Sequence, residues 1–181
     1  MSLKTKINIF INVIPLIVCI YAFFVKQPHL ASNSLLTVGC LVAVIIINKK
    51  VSVLSTRTYY SVLILILLSV FVGKALKVYN IIPLWDKILH FMSGFVFVSV
   101  GKNIYEKIRG NPTNKTLTIF FVLSFALAMA GVWEIYEFSI DKLFNLNSQN
   151  NSLNDTMLDI IAGSSGSLIW TFLSFKNLTK Q

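Results

Sequence analysis

The sequence predicts an all-α fold, a polytopic membrane helix bundle of about six transmembrane helices in one integral membrane domain. Apolar residues make up 55% of the 181-residue chain and charged residues only 13%, where a soluble domain carries about 25% charge. Mean hydropathy is +0.74, so lipid is the solvent for most of the surface. The apolar residues also gather into six runs separated by short polar loops, and each run approaches the roughly 20 residues that a helix needs to cross a bilayer.

The first run, Ile7–Val25, follows Lys4 and Lys6 in the manner of a signal peptide. No small-x-small cleavage site closes it, so a retained first helix is expected. The second, Leu35–Ile47, is short and spans only if it recruits part of the polar stretch Ala31–Ser34. Tyr59–Leu76 completes an N-terminal set of three, and Leu84–Val100, Leu117–Phe138 and Met157–Phe175 form a second, motif-bearing half. Cys19 and Cys40 lie inside apolar runs. Their spacing suggests neither a zinc ligand set nor a redox pair, and buried packing roles are expected.

The net charge of +9 sits in short inter-helix loops. There it reads as a topology signal and as contact with anionic headgroups, not as a nucleic-acid surface. With six spans, eleven basic residues fall on the side of the termini: Lys4, Lys6, Lys49, Lys50, Arg57, Lys102, Lys107, Arg109, Lys115, Lys176 and Lys180. Five (Lys26, Lys74, Lys77, Lys87 and Lys142) fall on the other. The positive-inside rule then places both termini in the cytoplasm.

The acidic residues are concentrated. Five of the seven lie in three stretches, Trp85-Asp86-Lys87-Ile88-Leu89-His90, Trp133-Glu134-Ile135-Tyr136-Glu137-Phe138 and Asn154-Asp155-Thr156-Met157-Leu158-Asp159. A sixth, Asp141, follows Glu137 by one helical turn. The spacings Asp86/His90 and Asp155/Asp159 (i, i+4) and Glu134/Glu137 (i, i+3) put each pair on one helix face. With helices alternating in direction, all three pairs arrive at the same, non-cytoplasmic boundary. Gly94 and Gly101, Ala126 and Ala130, and Gly163 and Gly166 continue these faces into the bilayer, where small residues let helices approach closely. The loop Asn145–Asn154, rich in asparagine and serine, reads as a lid or a disordered spacer, the spacer being favoured, and Asn154 or Asp155 as the cap of the sixth helix.

Ionisable residues at a bilayer boundary mark a functional site by default. Carboxylates gathered at low dielectric cannot all stay ionised without compensation. They can hold protons, pair with Lys74, Lys77 or Lys87, or bind a cation. Oxygen ligands with one imidazole suit Mg²⁺, Mn²⁺, Fe or Zn²⁺, and such a metal could polarise a phosphoryl or carbonyl oxygen. Asp86, His90, Glu134, Glu137, Asp155 and Asp159 are the candidate ligands or acid–base groups. A polar clasp that only holds three helices in register fits the same residues. His29 reads as a solvated interface residue, and Trp85, Trp133, Tyr79 and Tyr136 as an aromatic belt.

The motifs Asp86-Lys87-x-x-His90-Phe91-x-x-Gly94, Trp133-Glu134-x-x-Glu137-Phe138 and Asp155-Thr156-x-x-Asp159 resemble those of the uncharacterised YjdF-like family of bacterial inner-membrane proteins. More distantly the chain is similar to VanZ-like proteins, from which it departs in having Glu137 where glutamine is usual. The likeness covers about 84–168 and implies a multi-pass bacterial membrane protein, without an established activity. The expected function is metal-dependent binding or processing of an envelope lipid or its headgroup. A small proton-coupled carrier and a non-catalytic membrane scaffold are the alternatives.

Overall fold

A computed structural model describes residues 3–110, 114–150 and 152–175. Among them the regular structure is entirely helical. The long helices are α1 (Leu3–Phe24), α2 (Pro28–Val51), α3 (Thr56–Ile66), α4 (Trp85–Arg109), α5 (Lys115–Phe144) and α6 (Leu153–Phe175). The chain is thus a polytopic helical membrane protein. Five of the six helices are long and apolar enough to cross a membrane, with α3 counted together with the turns that extend it to Ala75. The exception is α4, whose 25 residues suffice in length but carry charge at both ends: Asp86 and Lys87 at one, Lys102, Glu106, Lys107 and Arg109 at the other. Of the basic residues used to orient the bundle, Lys176 and Lys180 lie outside the described residues.

Local chemistry sets the helix ends. α2 is 24 residues long, far more than its apolar core, because its polar first turns satisfy themselves. Pro28 starts it, where a missing N–H costs nothing. Asn33 Nδ2 and Ser32 Oγ then donate to the His29 carbonyl, and Thr37 Oγ1 to that of Asn33. Ser55 caps α3 by accepting from the Thr58 N–H. α3 then loosens into π-helical turns over Leu67–Ala75.

By its internal contacts the chain falls into two units, Met1–Trp85 and Asp86–Gln181. In the first, Leu41, Tyr59 and Leu63 form a fully buried cluster lined by Ile11, Val44 and Ile45. The Tyr59 hydroxyl donates to Asn8 Oδ1 (2.9 Å), and the Lys4 ammonium stands 4.7 Å over its ring. Two aromatics expected in an interfacial belt make specific contacts here. Tyr79 packs on Gly73, whose missing Cβ leaves room for the ring. Trp85 Nε1 donates to the carbonyl of Leu68 in the π segment. Cys19 and Cys40 are free thiols and only half-buried, because the apolar runs that hold them turn much of their surface outward.

In the second unit α4, α5 and α6 pack at the small residues. A Cβ on Gly166 would run into the Phe91 carbonyl, and one on Gly94 into the Gly163 carbonyl and the Ser167 amide. The backbones of α4 and α6 therefore touch without intervening side chains, as small-residue seams allow. Further along, Phe95 stacks on Trp170 (5.5 Å between centroids), and Trp170 Nε1 donates to Ser99 Oγ (2.8 Å). Val98, Val122, Ala126 and Phe175 close the core among all three helices.

Candidate functional site

The site lies where these helices end. At 1.5 Å per residue α5 climbs roughly 29 Å from Lys115 to Glu134, about one hydrocarbon thickness. Asp86, Lys87 and His90 occupy the first turns of α4, Glu134 and Glu137 lie about two-thirds of the way along α5, and Asp155 and Asp159 occupy the first turns of α6. The glycine seam brings the starts of α4 and α6 together, and their polar residues with them.

Three groups converge on one point. His90 Nε2 lies 3.6 Å from Asp86 Oδ1, 3.8 Å from Asp159 Oδ1 and 3.9 Å from Glu134 Oε1. All three distances are too long for hydrogen bonds. His90, Glu134 and Asp159 are at least nine-tenths buried, Asp159 being 1% exposed. Glu134 Oε1 and Asp159 Oδ1 have no hydrogen-bond partner, an arrangement that is costly unless something compensates it.

One cation is already built in. Lys87 Nζ donates to Asp155 Oδ1 (2.6 Å) and Asp159 Oδ2 (2.8 Å), and stands 3.6 Å from Asp86 Oδ2. It also lies 2.8 Å from Asp159 Oδ1, but without hydrogen-bond geometry, so that oxygen is attracted to the ammonium without being saturated by it. A single ammonium thus serves the carboxylates of Asp86, Asp155 and Asp159, with Glu134 beside them.

Of the six residues singled out from the sequence, Asp86, His90 and Asp159 offer ligand atoms within 4.8 Å of one another. Glu134 faces His90 from outside that trio. Asp155 is tied up by Lys87 and by Asn150 Nδ2 (3.0 Å). Glu137 is buried but accepts from Trp133 Nε1 (3.0 Å) on its own helix.

The polar loop is no idle spacer. Asp141 accepts from the backbone N–H groups of Ser148 and Gln149 (2.8 and 3.0 Å). So anchored, Gln149 Nε2 donates to the Glu134 backbone carbonyl and to Glu134 Oε2 (3.1 and 3.2 Å). Asn151 lies outside the described residues. Ser152, not Asn154 or Asp155, caps α6, with Oγ accepting from the Asp155 N–H. This frees the Asp155 carboxylate for Lys87. The Ser-x-x-Asp pattern at 152–155 is the signal that could have identified the cap. Nothing comparable marked Gln149.

Residues 7–180 match the profile of a family described as predicted membrane protein (DUF2238). A protein of Thermotoga maritima described as uncharacterized is 33% identical over 89 residues, covering 49% of this chain and 46% of its own. The chain thus spans less than half the length of that relative. No solved structure matches.

Proposed function

This chain belongs to the DUF2238 family of predicted membrane proteins, and on that premise we propose that Asp86, His90 and Asp159 hold a divalent cation that engages the phosphate of an envelope lipid headgroup. One observation carries the reading: two buried carboxylate oxygens, Glu134 Oε1 and Asp159 Oδ1, face His90 Nε2 without a hydrogen-bond partner, the second of them met only by the Lys87 ion pair. Ligands about 2.0–2.2 Å from a zinc ion stand roughly 3.4 Å apart around a tetrahedron. The separations of 3.6 and 3.8 Å from Nε2 to Asp86 and Asp159 need shrink by only a few tenths of an ångström to reach that. Two carboxylates and an imidazole suit Mn²⁺ or Zn²⁺ better than the all-oxygen preference of Mg²⁺. The ends of spanning helices are also the depth at which lipid phosphates lie.

The resemblance to YjdF-like proteins agrees with a bacterial cytoplasmic membrane, and the basic residues favour cytoplasmic termini with the site on the outer face. A purely structural clasp is the rival, favoured by the Lys87 ion pairs. Purified protein should contain metal by elemental analysis, and its melting temperature should rise with added Mn²⁺ or Zn²⁺, since a ligand that binds only the folded state stabilises it. Asp159→Asn should abolish both effects. Wild-type protein with no metal and no shift would leave the clasp as the role of the cluster.

A further inference from the structure

We propose that the site is hydrolytic: Glu134 is not a ligand but the proton acceptor for a cation-bound water, Gln149 positions it, and the substrate is a phosphate ester of a lipid headgroup. This rests on the metal reading above and assigns the reaction made with it. Glu134 differs from the trio in how it is held. Gln149 Nε2 engages Oε2, which leaves Oε1, buried and unpartnered, 3.9 Å from His90 Nε2. One oxygen is restrained and the other faces His90 of the trio proposed to hold the cation, as a general base beside it requires. Gln149 can do this because Asp141 fixes the backbone of the loop that carries it.

In the reaction, the water oxygen bonds to phosphorus while Glu134 Oε1 takes a proton from that water. The phosphorus–oxygen bond to the lipid alcohol breaks, and the departing alkoxide recovers the proton from Glu134. One water is consumed, and a phosphate and an alcohol are released. A cation held by Asp86, His90 and Asp159 would neutralise the phosphoryl oxygens, and the Lys87 ammonium beside Asp159 adds positive charge to the same cluster.

The test uses full-length protein in nanodiscs with phosphatidic acid or phosphatidylglycerol, loaded with Mn²⁺ or Zn²⁺ and read by release of phosphate or glycerol phosphate. Wild type should hydrolyse at least one of them. Glu134→Gln should retain metal content and the metal-dependent melting shift yet lose about a hundredfold or more in turnover, the usual contribution of a general base. Asp159→Asn should lose both. Gln149→Ala should lower turnover about tenfold with KM and metal content unchanged, the mark of a misplaced base, and it stands in for Glu134→Gln should that variant not fold. If wild type binds metal but releases nothing from either lipid, or if Glu134→Gln loses its metal, the hydrolytic assignment falls while the metal site stands. If no metal binds, both fall.

Discussion

Replacing Lys87 by methionine removes the one ammonium that Asp86, Asp155 and Asp159 share while keeping much of its length. Deleting one partner of a largely buried pair leaves uncompensated charge and typically costs about 3–5 kcal/mol. Thermal melts of metal-free Lys87→Met should therefore fall well below wild type. Saturating Mn²⁺ should raise the variant's melting temperature by more than the wild type's, because the cation then replaces the missing charge. At this scale the sequence was informative about identity and poor about role. Same-face spacing was enough to bring Asp86, His90, Glu134 and Asp159 together. It could not separate Glu137, which its neighbour Trp133 claims, nor reveal Gln149, whose part depends on how Asp141 folds the loop. Periodicity reports which face a residue occupies, whereas a hydrogen bond across fifteen residues depends on tertiary geometry.

Between elements, the α4–α6 seam sets the position of the site. Gly94→Ala and Gly166→Ala each push a methyl group into backbone of the facing helix, and overpacking of this kind costs about 1–3 kcal/mol or more. Both variants should melt lower and bind metal more weakly, because separating α4 from α6 draws Asp159 away from Asp86 and His90. Gly39→Ala and Gly131→Ala meet nothing within 4 Å. In a helix each should be neutral or slightly stabilising, and the same melts provide the contrast. All six helices were legible from their apolar runs, and the seam from its small residues. The loosening of α3 over Leu67–Ala75 was not legible, since hydropathy does not distinguish π-helical from α-helical turns.

For the whole molecule the open variable is orientation. With Cys19 and Cys40 removed, Asn147→Cys, in the exposed part of the α5–α6 loop, should react with an impermeant thiol reagent in intact cells. Reaction only after permeabilisation would put the site on the cytoplasmic side. The seam also has a consequence in time. Synthesis runs from the N-terminus, so α4 and α5 enter the bilayer before α6 exists, carrying Lys87 without two of its carboxylate partners and His90 without Asp159. A chain stopped after Phe144 should insert yet take up no metal in elemental analysis. Competence would then arrive with α6, so a half-made chain would display its acids and its lysine at the membrane boundary without being able to use them.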